Sequence, residues 1–451
     1  MKDSIYRLNL RQLGTALREG SLSAIAVLDH YLDRIGRLDG ELNCFAHVDV
    51  EGARAAARLA DERLASGKPL GPLDGIPVAI KDNLLVAGMP CVWGTKLYRD
   101  YIAEEDELPV RLLRQAGAVI VGKTNVPEFT LRGFTGNAVF GSTGNPWNPA
   151  VTPGGSSGGS VAAVAAGYVG IVGLKPSIGC IPRQGGLPPL LADCEVVGPL
   201  ARTVDDIRLI LSVIGRANSA DPRSFGFPAI DALSATPEPK RILFVERFGD
   251  APVDPEIAAL CSRAADRFAA LGHEVERGAL PLDLKSVNAG WPILANTGLA
   301  KMAALDPRFL QLVSAPFSEQ AKAGAKLSAT DYLTFIETLD AFRVAAARLL
   351  ETFDVVLTPA SAAHPWPRDT QFPPVIDGKE AGPRGHAVFT NWMNACGHPG
   401  ISIPVGPGTG GMPVGLQAVA AFGADDALLD FAASFEQVHP WADRWPELAV
   451  R

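Results

Sequence analysis

The sequence predicts an α/β protein, and two observations carry that reading. Residues 108–117 have a helical pattern and run straight into a short apolar strand at 118–122. A second apolar strand, at 78–80, follows a turn punctuated by Gly75 and Pro77. Helices alternating with short apolar strands mark a chain that packs helices around a sheet. The composition agrees, since 47% hydrophobic with 20% charged residues is ordinary for a soluble globular protein.

Taken in order, residues 5–66 read as helices. Ser23 is placed to cap a segment whose Ile25, Leu28, Leu32 and Ile35 share one face. Residues 50–66, rich in Ala, Arg and Glu, form a second helix that ends before Gly67. The strand at 78–80 ends in Lys81-Asp82-Asn83. A lysine directly after a buried strand must snorkel, pair with an acid or lose its charge. A neutral lysine is a competent general base. Taken alone, the position also suits a salt-bridged surface residue, and the base reading depends on a hydroxyl partner elsewhere.

Residues 134–149 are rich in Gly, Asn and Pro and read as a long structured loop. It leads to T-P-G-G-S-S-G-G-S at 152–160, which cannot be an ordinary strand or helix interior. Glycine permits backbone angles closed to other residues and lets neighbours approach the main chain. The small apolar run at 161–167 reads as a packed helix with its amino end toward this loop, where unpaired N–H groups and partial positive charge gather. That run and Pro153 argue against a flexible linker. A phosphate-binding loop would need a Lys-Ser/Thr pair that is missing.

Further along, 178–191 is Gly/Pro-rich, 203–214 is a helix, and 216–240 is a Pro/Ala/Ser-rich connector. A strand follows at 242–245. Asp254 then caps a helix with Pro255 in its first turn and Gly272 closing it. Its predicted core face is Ile257, Leu260, Cys261, Ala264, Phe268 and Leu271. Tyr332, Ile336, Leu339, Phe342, Ala346 and Leu349 make another packing stripe. Residues 354–359 read as a returning strand, and the Gly and Pro residues of 391–417 connect short strands of the same sheet.

Several function classes are disfavoured. A net charge of −8 without a Lys/Arg cluster speaks against nucleic acid or a membrane surface as partner. No apolar run is long enough to span a bilayer, and residues 1–20 carry charges throughout, unlike a signal peptide. The 6 cysteines are scattered, which predicts reduced, buried thiols in a cytoplasmic protein. The 7 histidines show no metal-ligand spacing, so no metal is expected.

The informative segments are G-I-P-V-A-I-K-D at 75–82, K-T-N-V-P-E-F at 123–129, G-S-T-G-N-P-W at 141–147 and G-G-S-S-G-G-S at 154–160. V-G-L-K-P-S at 172–177, G-P-L-A-R-T-V-D-D at 198–206, V-V-L-T-P-A at 355–360 and G-M-P-V-G-L-Q at 411–417 continue the series. Together, in this order and over nearly the whole chain, they resemble the amidase signature family. The resemblance implies a hydrolase of carboxylic amides, built as one large α/β domain around a mixed central sheet flanked by helices. It implies a single domain over 1–451, with N-terminal helices (1–66), a core (67–215), the connector (216–240) and a second half (241–451) that helps shape substrate access. A length-based prior alone suggests about three domains.

The family's site is a Ser–cis-Ser–Lys triad that needs no cofactor. By position, Lys81 resembles the base and Ser156 the bridging serine that follows the cis bond. Substrate contact is implied for Gly154, Gly155, Ser157, Gly133 and Phe134, and Trp291 is a weaker pocket candidate. The implied partner is a small-molecule amide, and a homodimer is compatible with the reading.

At one place the chain departs from the family pattern. There the serine loop and its helix lead into a strand, a Gly-rich turn bearing the nucleophilic serine, and a further short helix. Here Gly167-Tyr168-Val169-Gly170 runs almost at once into Ile171-Val172-Gly173-Leu174-Lys175-Pro176. No residue matches the acylating serine, because Ser157 and Ser160 belong to the other loop and Ser177 lies beyond the strand. Either the segment is truly deleted, leaving a folded but inactive binding protein, or the chain as given omits it. Each buried side chain lost with a central strand costs about 2–5 kcal/mol. A total stability of about 5–15 kcal/mol cannot absorb many such losses, which favours omission. A third expectation is the glutaminase-like component of a tRNA-dependent amidotransferase, its A subunit, which would need partner subunits.

Overall fold

Two sheets carry the residues singled out above. The computed structural model describes residues 2–167, 172–230 and 238–450. The amino-terminal helices are α1 (Leu10–Arg18), α2 (Ala24–Leu42) and α3 (Val50–Ala65). Each starts where a short polar side chain accepts from a free backbone N–H: Asn9 from Gln12, Ser23 from Ala26 and Asp49 from Gly52. Between α2 and α3 lies β1 (Phe45–Val48), which corrects the purely helical reading of 5–66. Four residues are too few to show a period of two, and only pairing with a distant strand reveals it.

That partner is β3 (Val119–Thr124), which receives β1 antiparallel and β2 (Pro77–Lys81) parallel in a sheet ordered β1-β3-β2. The helix predicted at 108–117 is α4 (Leu108–Gln115), and it makes the crossover between β2 and β3. After the small ladder of β4 (Gly136–Asn137) and β5 (Gly141–Ser142) comes α5 (Gly158–Ala165). The predicted helix at 161–167 thus begins at Gly158, so the last three residues of the Gly/Ser stretch are its first turn.

The remaining strands and helices are β6 (Gly173–Lys175), α6 (Val204–Ile214), β7 (Arg241–Phe244), α7 (Pro255–Ala270) and β8 (Glu274–Arg277). Next come α8 (Leu284–Leu305), α9 (Phe309–Leu312), α10 (Ala315–Gly324), α11 (Ala329–Thr352) and β9 (Val355–Pro359). The chain finishes with β10 (Val375–Ile376), β11 (Lys379–Glu380), α12 (Asn391–Cys396), β12 (Gly400–Pro407), β13 (Pro413–Ala420), α13 (Asp425–Val438) and α14 (Glu447–Val450).

A six-stranded sheet runs β6-β12-β13-β9-β7-β8. It is antiparallel from β6 to β9 and parallel from β9 to β8, hence mixed. Helices α7 and α13 cover it, stacking Phe268 on Phe431 and Phe435. On α7 the predicted core face is buried except for Leu271, which is 37% exposed because the helix ends at Ala270 and Leu271 is already the cap. The sequence pattern does not predict helices α8 and α12. The first carries Pro292 inside it, and the second hides among Gly and Pro residues. All six cysteines are buried free thiols, as expected. Among the described residues no helix is long and apolar enough to cross a membrane. Of the connector at 216–240, residues 231–237 lie outside the described residues.

Candidate active site

The site is built where the carboxyl ends of β2 and β3 meet the amino end of α5. Lys81 closes β2 in register with Thr124 of β3. Opposite them, the peptide between Gly155 and Ser156 is cis, and Gly154 has φ +92. Gly155 must be glycine for space, since a Cβ there would lie 2.5 Å from the Phe134 carbonyl oxygen. Thr135 pins the loop from the same side: its hydroxyl donates to Gly154 O (2.9 Å) and accepts from Gly158 N (3.0 Å). Ser160 and Thr124 share a hydroxyl–hydroxyl bond of 2.6 Å that ties α5 to β3.

This scaffold brings Lys81 Nζ to donate to Ser156 Oγ over 2.8 Å. Burial pushes the Lys81 amine down to about 8, the Arg183 charge acts the same way, and Glu195 opposes both. The neighbouring lysine is held by an acid instead of a hydroxyl. Lys123 is fully buried and ion-paired to Asp82 at 3.2 Å, while Asp82 also accepts from Trp93 N (3.0 Å). Burial nevertheless raises Asp82 to about 6. Lys123 and Asp82 therefore form a buried polar joint under the site.

Two cavities flank this point. One of about 160 Å³ lies between β2 and residues 197–201 and reaches Lys81 and Ser157. The larger, about 380 Å³, reaches the Gly/Ser loop only through Thr152, Pro153 and Gly154. Residues 197–201 also cover the outer edge of β6, where Leu174 N donates to Pro199 O (3.2 Å) and Ala201 N to Val172 O (2.8 Å).

Of the other predicted site residues, Phe134 lies beneath Gly155 through its main chain, and Gly133 touches His386. Ser157 is the residue before α5 and makes no capping bond. Trp291 is a core residue, packed with Phe335 and Leu339 between α8 and α11. Ser177 is occupied elsewhere, donating to Asp425 (2.6 Å) and accepting from Gly423 N (2.9 Å). The junction at 168–171, where the chain departs from the family pattern, lies outside the described residues. Sequence reasoning missed Arg183, a single charge in the Gly/Pro-rich segment 178–191, and Glu195 just beyond it, both of which act on Lys81. It also missed Asp254, Glu256 and His364, whose ligand atoms come within 4.8 Å of one another and could hold a metal ion. His364 Nε2 lies 2.9 Å from Glu256, which also accepts from Thr409, so these groups already partner one another.

Comparison with known proteins gives a consistent result. The family described as Amidase matches residues 26–171 and 166–429. An indoleacetamide hydrolase of Bradyrhizobium diazoefficiens is 32% identical over 468 residues, covering 96% of this chain and 87% of that one. The A subunit of a glutamyl-tRNA(Gln) amidotransferase from Gloeobacter violaceus is 30% identical over 493 residues, covering 98% and 99%. Among solved structures, a bacterial aryl acylamidase of the amidase signature enzymes superposes with a TM-score of 0.90 at 25% identity, covering 98% of each chain.

Proposed function

Because the chain belongs to the amidase signature family of hydrolases, we propose that it cleaves a carboxylic amide to an acid and ammonia or an amine through an acyl-serine intermediate. The observation that carries this reading is the 2.8 Å bond between Lys81 Nζ and Ser156 Oγ. A lysine with its pKa near 8 is neutral in about one molecule in ten at pH 7. Such an amine accepts the Ser156 proton while Ser156 takes one from an attacking serine hydroxyl, a variant of triad logic. The attacking oxygen bonds to the carbonyl carbon, and backbone N–H groups stabilise the oxyanion. Collapse breaks the C–N bond, the leaving nitrogen takes the proton back, and water then releases the acid.

The attacking serine belongs, on this reading, to a segment between Gly167 and Val172 that the chain as given lacks. Support comes from the family match, which falls into two pieces meeting at 166–171. The alignment with the Gloeobacter protein runs over 493 positions, more than the 451 residues here. The smaller cavity also separates β2 from the strand edge that residues 197–201 cover. The second reading is the amidotransferase component, favoured by the Gloeobacter relative, and co-purification of further subunits would distinguish it.

Lys81→Ala is expected to lower amide hydrolysis by about 10²–10⁴-fold with the circular dichroism spectrum unchanged. Hydrolysis at the wild-type rate by that variant would refute the assignment. An intact mass above 47.5 kDa would support the omitted segment. A mass of 47.5 kDa together with no labelling by a serine-reactive phosphonate would favour the inactive binding protein.

A further inference from the structure

Beside the Lys81–Ser156 pair, two loops meet and bring together charges that the hydrolytic mechanism does not use. The segment 132–135 is fixed against the Gly/Ser loop by the Phe134 main chain under Gly155 and by the two Thr135 bonds. Arg132 stands two residues before Phe134, at most about 7 Å of chain away. The second loop, 384–386, touches the first at Gly133: a Cβ there would fall 2.0 Å from His386 Nε2.

Neither guanidinium has a carboxylate within ion-pair reach among the described residues. Arg132 lies 4.3 Å from the Phe317 ring centroid and donates to Leu131 O (3.3 Å). Arg384 lies 5.8 Å from that of Trp291 and donates to Asn391 Oδ1 (3.3 Å). The acid whose charge Arg132 feels, Glu128, already accepts from Thr95 Oγ1 and Ser314 N. Burial lowers the pKa of Arg384 and the Arg132 charge lowers it further, so the two repel within one neighbourhood.

His386 adds an independent sign. It is 6% exposed, and neither ring nitrogen has a hydrogen-bond partner. Burial and the Arg384 charge push it down to about 4, so at neutral pH it carries one unsatisfied N–H and one unsatisfied acceptor. Folded proteins rarely leave buried polar atoms unpaired unless a ligand or water completes them. Two unneutralised guanidiniums beside such a group describe a place for negative charge, and their planar forks match a carboxylate.

We propose that Arg132, Arg384 and His386 form an anion subsite that selects amides carrying a carboxylate, fixing the substrate's far end while its amide lies at Ser156. The inference rests on the amidase reading for the identity of the ligand but not for its test. Binding is measured by titration calorimetry on the full-length Lys81→Ala chain, which cannot consume the ligand. The probes are the monoamides of succinate, glutarate and adipate, each against its neutral diamide. At least one monoamide is expected to bind about tenfold to a hundredfold tighter than its diamide, the range for a hydrogen bond to a charged group. In a further Arg384→Gln variant that ratio is expected to fall toward one. Equal binding within every pair, no binding of any probe, or a preference that survives Arg384→Gln would overturn the proposal. Hydrolysis of neutral amides without carboxylate preference removes the subsite and leaves the amidase reading standing. An Arg384-dependent preference without any turnover does the reverse.

Discussion

A lysine amine buried against a serine hydroxyl is useful because its charged form has been made costly. At Lys81 the cost comes first from burial and then from the Arg183 charge, while Glu195 works to keep the proton on. On the proposed mechanism the neutral amine is the active form, so kcat/KM rises with pH and levels off above about 8. Glu195→Gln removes a negative charge that favours the protonated amine, so the acidic limb is expected to move to lower pH. A pH–rate profile checks the sign, and an upward shift would contradict it. Glu195 had no sequence signal. Its carboxylate is held by Leu190 N (3.1 Å) and Leu191 N (3.0 Å) in a loop whose Gly and Pro content says little about where a side chain ends.

At the scale of elements, α5 shows why the serine loop is so rich in glycine. A Cβ at Gly159 would lie 2.4 Å from Asn125 O and 2.7 Å from Cys44 O, so the first turn packs directly on two other main chains. Gly159→Ala must displace backbone and is expected to cost about 1–3 kcal/mol in a urea denaturation experiment. Gly36→Ala is the matched control, because nothing lies within 4 Å of that exposed position inside α2. It should gain about 0.5–1 kcal/mol. Elements with capping residues and a clear stripe, such as α2 and α7, were legible in the sequence. Those whose identity depends on pairing or on tolerated irregularity were not. β1 is four residues long. Helix α8 keeps Pro292 inside it, and its Gly290 admits the Phe335 ring of α11, where a Cβ would come within 2.1 Å.

For the whole molecule, the legible part of the site was the part written in contiguous motifs. Lys81 closes a strand and Ser156 sits in an unmistakable glycine bend, and the fold brings them to 2.8 Å. The charges that act on Lys81 come from Arg183 and Glu195, far along the chain from it, and nothing local marks them as its neighbours. Desolvation of the amine is likewise a property of the whole arrangement, since β2, α5 and residues 197–201 together wall off the space beside it. A direct reading of that amine therefore tests the account without requiring turnover. With lysine labelled by ¹³C at the ε position, the Lys81 resonance is identified by its disappearance in Lys81→Ala, which separates it from Lys175, another half-buried lysine whose amine is held near 8. The account expects Lys81 to titrate near 8. Titration together with the surface lysines, near the ordinary value of about 10.4, would contradict it.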